Sequence, residues 1–469
     1  MSVSQRLDRV AEGYSYKETA KQATFKVEYR EKCYFFPFSS RKPEKPNIKN
    51  TFDGITGVYA RMSSGSNAKN PENLFEVMDK AFDNNPNITI DKDYKEEIKD
   101  QLINYLKKEN GNINVLSPSL FKALQLQKTN NKNERFEKGE RDYGCFLYDI
   151  FGNGDIKNLF ENEETNRLLD FIETLLVYDE KEDNYRSKSA CKLPVIKDLF
   201  IKDLEYLRSN VDIFLDKLPL FLHYYLLFYC SQLTIKLNLQ FNATKERMDS
   251  IEKIYYLLDD ERLSAQRLAI DSGYNTITNA SKNLYENLIV LSTLNYIFDE
   301  GDSKFKLKTY YDLDELYNSK DDDTKIEILN TLQEWISTLK GISDFTYNPS
   351  DLGEFHSACY VIFDYFQQPK YIAQSSRYSL NIPELLYCFS KSHGKQGISM
   401  SLTQDNLLFF IRLATKGKRM KIKEVFEELE KRGIFFDSTT QKLVMERLDK
   451  LNMLDSVSDS GDAKYVKEI

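Results

Sequence analysis

The chain has 469 residues, which is more than one hydrophobic core usually holds, so we expect two or three domains. Its hydrophobic fraction of 41% is ample for folding and excludes an intrinsically disordered protein. The formal net charge of −8 excludes a uniformly cationic nucleic-acid binder, so any contact with DNA must come from a local basic patch.

The N-terminal part predicts a small α/β region. We expect residues 1–15 to be a loose terminus, and alternation in residues 24–29 and a β-like run in residues 33–38 indicate strands. Helical periodicity then appears in 73–82, 94–108 and 119–127. The polar, charged stretch 128–141 predicts a boundary, which gives an N-terminal α/β region of residues 1–130.

The middle of the chain, residues 131–395, predicts a large helical scaffold domain. Long apolar-periodic stretches occur at 166–178, 195–218, 325–339 and 354–366. The most apolar run, residues 218–233, is shorter than the roughly 20 residues needed to span a bilayer, so we interpret it as a buried helix. We therefore expect no membrane contact. Six scattered cysteines, expected to be free thiols in a chain without a signal peptide, indicate a cytoplasmic location. The acidic run Asp321–Asp323 predicts a helix-capping loop rather than a cation site.

No motif in the sequence predicts catalysis. The three histidines, His223, His356 and His393, are isolated, and the six cysteines form no CxxC or Cys/His pair. Gly54 and Gly57 form a GxxG in a segment that enters a helix, but no Walker sequence surrounds them, and GxSxG and HExxH do not occur. We therefore predict a protein that is not an enzyme and that has no catalytic residue, metal or cofactor. A cryptic nuclease or nucleotide hydrolase remains an alternative hypothesis.

The C-terminal residues 396–469 predict a winged helix-turn-helix domain. One helical face carries Leu407, Phe410, Ile411 and Ala414, the next Ile422, Val425, Phe426 and Leu429, and the third Val444, Leu448 and Leu451. Gly417 and Gly433 are suitable left-handed stops after the first two helices. Ser438 to Gln441 has the pattern of a capping box for the third.

After Leu454 the period becomes two-fold, and a turn containing Gly461 predicts a hairpin. The fold class is therefore mainly α and multidomain, with the three regions given above. A lone hairpin is only marginally stable, so we expect this one to pack on the three helices.

Basic residues cluster in this predicted domain and are our candidate DNA-binding residues. They are Lys416, Lys418, Arg419, Lys421, Lys423, Lys442, Arg447, Lys450 and Lys464, with Lys467 also on the wing. In such a fold the third helix enters the major groove, while the wing and helix N-termini meet phosphates. Interspersed Glu and Asp residues leave the domain near neutral, so docking on protein alone remains an equal alternative.

The segment from Ser390 to the C-terminus contains the runs KSHGKQGISMSLTQDNLLFFIRLA, FEELEKRGIFFD and LDKLNMLDSVSDSGDAKYVKEI. In these runs it resembles the DptG family, the G component of the Dpt (Dnd FGH) DNA phosphorothioation-dependent restriction system. The most specific part joins KRGIFFD to LNML…SDSGDAKYV, and residues 284–298 fit more loosely. The close resemblance covers roughly the last fifth of the chain.

The resemblance implies a bacterial antiviral defence protein that works with F and H components, at least one of them a P-loop ATPase. Together they would attack double-stranded DNA that lacks sulphur in its backbone. The family has no established catalytic residues. The expected function is thus a non-catalytic DNA-contacting and scaffold subunit of a restriction complex. The alternative is a structural adaptor whose winged helix docks on protein partners without touching DNA.

Overall fold

The computed structural model describes residues 2–19, 21–27, 34–48, 51–84, 92–108, 112–128, 135–152, 158–162, 167–176, 178, 187–261, 268–299, 306–456 and 464–468. The protein is mainly helical, as the sequence predicts. The helices are α1 (Val3–Gly13), α2 (Asp53–Ser63), α3 (Leu74–Asn84), α4 (Lys92–Leu106), α5 (Phe136–Phe151), α6 (Arg167–Leu175), α7 (Pro194–Arg208), α8 (Val211–Leu237), α9 (Lys245–Asp249), α10 (Asn275–Ser281), α11 (Leu284–Phe298), α12 (Tyr310–Asn318), α13 (Asp322–Ile342), α14 (Phe355–Phe366), α15 (Ile372–Ser379), α16 (Asn381–Leu385), α17 (Gln404–Thr415), α18 (Ile422–Lys431) and α19 (Ser438–Lys450).

Three small sheets accompany the helices. Their strands are β1 (Tyr14–Thr19), β2 (Gln22–Val27), β3 (Tyr256–Leu258), β4 (Ser390–Ser392), β5 (Ile398–Leu402), β6 (Met420–Lys421), β7 (Leu454–Ser456) and β8 (Lys464–Val466). The strand orders are β1-β2, β3-β5-β4 and β6-β8-β7. All pairs are antiparallel except β3 with β5, which is parallel.

The chain divides into two compact units, each discontinuous in sequence. The first unit is Met1–Pro43, Lys188–Ile196 and Leu227–Ile469, and the second is Glu44–Ser187 and Lys197–Leu226. Neither unit coincides with one of the regions 1–130, 131–395 and 396–469, whose independence as domains stays a prediction.

The second unit is built around a close approach of α2 and α5. A Cβ on Gly57 would lie 2.3 Å from the backbone oxygen of Leu124, and one on Gly144 would lie 2.5 Å from Val58 Cβ. The GxxG of Gly54 and Gly57 therefore lies within a helix and serves packing, which agrees with the rejection of a phosphate loop. Stacked aromatic rings add to the core, for example Phe151 on Phe200 with centroids 4.3 Å apart.

The prediction of a loose N-terminus was wrong. The first unit begins with α1, and Ser2 and Gln5 form a capping box at the N-terminus of this helix. The buried Arg6 side chain of α1 donates to the carbonyl oxygen of Ile297. Strand β2 confirms the predicted strand over residues 24–27, and residues 28–33 lie outside the described part of the chain. Phe25 of β2 packs against Phe366, with ring centroids 4.9 Å apart.

Other predicted elements are confirmed or shifted. The β-like run proposed for residues 33–38 is wrong over 34–38, where the chain bends and buries Phe35 and Phe36. Residues 118–123 form a 3₁₀ turn rather than a regular helix. Asp321 caps α13 through its side chain, as predicted.

The apolar run 218–233 belongs to α8, which is longer than the sequence suggested. Among the described residues α8 is the one helix long and apolar enough to cross a membrane, and 67% of its most apolar window is buried inside the protein. Its buried His223 stacks on Phe52, with ring centroids 4.6 Å apart. This environment agrees with the prediction of a core helix.

Candidate nucleic-acid interface

The three helices predicted in the C-terminal segment form, and each of the first two is followed by the predicted glycine. The order along the chain is α17, β6, α18, α19, β7 and β8. Gly417 and Gly433 have φ of +72° and +79°, in the left-handed region that favours glycine. Lys416, just before Gly417, also has a positive φ of +51°.

The apolar faces predicted for these helices are buried, with local exceptions. Leu407, Phe410, Ile411 and Ala414 are all buried on α17. On α18 Val425 and Leu429 are buried, whereas Ile422 and Phe426 of the predicted face are only half-buried. Val444 and Leu448 are buried on α19. Leu451 departs from the prediction because α19 ends at Lys450, which leaves this side chain 39% exposed.

The capping box predicted at Ser438 lies one residue too late. Asp437 is the N-cap of α19, and its Oδ1 accepts from the backbone N–H groups of Thr439 and Thr440 at 3.1 and 2.9 Å. A carboxylate at this position also complements the positive end of the helix.

Strands β7 and β8 follow α19 and join β6 in a three-stranded antiparallel sheet, with β8 in the centre. Met420 and Leu454 lie opposite Val466, and Lys421 and Asp455 lie opposite Tyr465. Directly opposite residues share a face, so one face is apolar and contains the buried Val466. The other face carries Lys421, Tyr465 and Asp455. The turn predicted around Gly461 lies outside the described residues.

Cations surround Tyr465 on the second face of this sheet. The Arg419 guanidinium lies 4.4 Å from the ring centroid of Tyr465, and its Nε lies 3.7 Å from Asp455 Oδ2. Lys467 Nζ lies 3.5 Å from Asp455 Oδ1. One carboxylate therefore faces three cations, counting Lys421, and the face keeps a positive balance.

The remaining basic residues at the α17–α18 junction are exposed. Among the described residues, the side chains of Lys416, Lys418 and Lys421 form no ion pair, and Lys423 only approaches Glu427 at 4.0 Å. We call Lys416, Lys418, Arg419, Lys421, Lys423 and Lys467 the basic surface. The structure thus brings together five of the nine predicted residues with Lys467. Lys464 is also exposed, but strand alternation puts it on the face opposite Tyr465.

The other three predicted residues lie on α19 in a different electrostatic environment. Lys442 and Lys450 are exposed, whereas Arg447 is paired with Asp260 and lies 3.4 Å from Gln404 Oε1. Thr440 donates to the buried Glu261 at 3.1 Å. These two acids and Glu446 line a groove beside α19, together with Leu258, Thr439, Leu443, Arg447 and Lys450.

Sequence reasoning missed the acids beside α19. Asp260 and Arg447 are 187 positions apart. The run Asp259–Glu261 was visible in the sequence, but no local pattern connects it to α19.

The histidines are held in local contacts. His356 Nε2 lies 2.6 Å from Asp314 Oδ1, and the ring stacks on Phe241. His393 Nε2 lies 2.9 Å from Ser399 Oγ, and burial lowers the pKa of His393. In the described part of the chain no three His, Cys, Asp or Glu side chains come together as a metal site. The cysteines described by the structure are free thiols.

The features above define a mainly helical protein whose C-terminal helices and sheet expose a basic surface. The chain matches no known family in a comparison with family descriptions, and no curated protein matches it either.

Proposed function

We propose that this chain is a non-catalytic, DNA-contacting scaffold subunit of a phosphorothioation-dependent restriction complex that serves antiviral defence. Its C-terminal segment would act as a winged helix-turn-helix, with β7 and β8 as the wing. The observation that supports DNA contact is the basic surface around Tyr465. The restriction context, and with it the F and H partners, rests on the resemblance of the last fifth of the chain to the DptG family.

Phosphates suit the basic surface because its lysines are exposed and close in sequence. Lys416, Lys418 and Lys421 have no carboxylate partner among the described residues, so a phosphate would not have to displace one. Each phosphate that a lysine neutralises releases condensed counterions, which makes binding depend on salt. We therefore assign these residues to backbone contact, which positions the protein without reading sequence.

The test is a triple charge reversal, Lys416→Glu, Lys418→Glu and Lys421→Glu. Arg419 is left unchanged because it packs on Tyr465 and its loss would disturb the sheet. We expect weaker binding to duplex DNA, and a slope of log affinity against log salt that is smaller by about 0.9 for each phosphate that the variant no longer neutralises. Fluorescence anisotropy over a salt series measures both quantities.

The matched control reverses three exposed lysines elsewhere in the first unit, Lys245, Lys253 and Lys395. It changes net charge equally but leaves the basic surface intact. DNA binding that falls equally in both variants would show a general charge effect, and binding that is unchanged in the test variant would refute DNA contact by this surface.

A second candidate function is an adaptor that docks only on protein. It is favoured by Asp260 and Glu261, which lie beside α19 and disfavour phosphates along that side of the helix. The same variants discriminate the two functions when the tagged chain is purified from its host. In the triple variant, an adaptor would keep its protein partners and show no change in DNA binding. The proposed subunit would instead bind DNA more weakly.

A further inference from the structure

A carboxylate lies among the cations of the basic surface. Asp455 of β7 is directly opposite Tyr465 of β8, and Lys421 of β6 is opposite the same tyrosine on its other side. Asp455 Oδ2 lies 3.7 Å from Arg419 Nε, and Asp455 Oδ1 lies 3.5 Å from Lys467 Nζ. Its two oxygens therefore face two different cations, as two oxygens of one phosphate group would.

The two cations are held in place by contacts that leave their charge available. The Arg419 guanidinium lies 4.4 Å from the ring centroid of Tyr465, and this packing orients it. Lys467 Nζ donates to Asn452 Oδ1 at 2.9 Å. Neither contact supplies a negative charge. Within the described ranges, Asp455 is the carboxylate that balances Arg419 and Lys467.

These ion pairs are open to competition from an anion in solution. The side chains of Arg419, Asp455 and Lys467 are 47%, 42% and 34% exposed. Exposed ion pairs are weak and are screened by salt, so a phosphate can replace the carboxylate at low cost. The two Nη groups of Arg419 donate to no residue that the structure describes, and such a pair of donors suits two phosphate oxygens.

We propose that Arg419 and Lys467 form a phosphate-binding centre and that Asp455 takes the place of the phosphate when no nucleic acid is bound. The ligand is a phosphodiester of the DNA backbone, so the inference rests on the proposed function and names the residue that regulates it. Asp455 lowers the affinity of the basic surface in two ways. It repels the incoming phosphate, and it engages the two cations that would bind the phosphate.

The experiment compares Asp455→Asn with the wild-type full chain, because asparagine keeps the size of the side chain and removes its charge. We expect duplex DNA to bind about three- to tenfold more tightly at about 0.1 M salt, with a smaller difference at higher salt. For each further phosphate that the released cations neutralise, the slope of log affinity against log salt should steepen by about 0.9. Fluorescence anisotropy over a salt series measures both quantities.

Asp344→Asn is the matched control, because Asp344 is exposed, forms no ion pair with a described residue and is not part of the basic surface. Lys467→Gln is the second variant, and it should weaken DNA binding because it removes one of the two cations. Circular dichroism checks that each variant is folded.

Tighter binding in Asp455→Asn but not in Asp344→Asn would support the proposal. Equal tightening in both would be a general effect of charge and would overturn it. Unchanged affinity in Asp455→Asn would also overturn it, and would leave the proposed function intact wherever the wild-type chain binds DNA. Should the wild-type chain bind no DNA, binding gained by Asp455→Asn would show that Asp455 blocks the centre, whereas no binding by either chain would overturn both proposals.

Discussion

Glu140 shows how one buried residue couples stability to pH. Burial raises its pKa from 4.5 to about 7 in the folded chain. Between these values the folded state holds a proton that the unfolded state has lost, so the free energy of unfolding falls as pH rises. Glu140→Gln removes this loss. We expect the free energy of unfolding of the variant to gain about 3 kcal/mol relative to wild type as the pH rises from about 4 to about 8.

Urea unfolding at several pH values measures this difference, because each curve gives a free energy of unfolding. Glu137→Gln should follow the wild-type pH dependence closely, since its side chain is exposed. Parallel curves for wild type and Glu140→Gln would mean that Glu140 titrates near the ordinary pKa of glutamate and that its carboxyl reaches water.

At the scale of an element, the packing of α2 depends on the absence of a side chain at Gly57. An added Cβ would lie 2.3 Å from the backbone oxygen of Leu124, which cannot move as a side-chain tip can. We expect Gly57→Ala to lower the free energy of unfolding by about 1–3 kcal/mol. Gly341→Ala in α13 is the matched control, because nothing lies within 4 Å of its added Cβ. There alanine should stabilise by up to about 1 kcal/mol. Thermal unfolding compares the two, and equal effects would contradict the role of Gly57.

Elements whose signal is local could be predicted from the sequence. The buried faces of α17, α18 and α19 follow from apolar spacing within each helix, and Gly417 and Gly433 follow from their need for a positive φ. Helix α1 was missed although Ser2 and Gln5 form a capping-box pattern, because its apolar content is low. Strand β6 is two residues long, so no alternation could indicate it.

Elements that depend on distant residues could not be predicted. Glu140 lies in a stretch whose polar composition suggested a surface boundary, yet α5 buries it against Gly54 and Gln127. The basic residues of the candidate site were identified as a group from their density in the sequence. Their division between the basic surface and α19 required the strand register and the Arg447–Asp260 pair.

At the scale of the whole molecule, the C-terminal segment is bound closely to the rest of the first unit. Tyr256 N–H donates to the Phe435 carbonyl at 2.8 Å, and Phe435 N–H donates to the Ile254 carbonyl at 3.1 Å. Gly433 packs so closely on Phe228 that an added Cβ would lie 2.4 Å from its ring. Strand β5, which leads into α17, pairs with β3 in parallel.

These contacts predict that the segment cannot be removed cleanly. A chain ending at Met400 loses part of β5 and the contact of Gly433 with the Phe228 ring, so buried apolar surface becomes exposed. We expect it to aggregate or to unfold at a much lower temperature than the full chain, as seen by size-exclusion chromatography and circular dichroism. A monomeric truncated chain that unfolds at the same temperature would instead show that residues 1–400 fold without the C-terminal segment. Loss of partners on truncation would therefore not locate a docking site unless folding were shown, which is why the function is better tested by surface charge reversals.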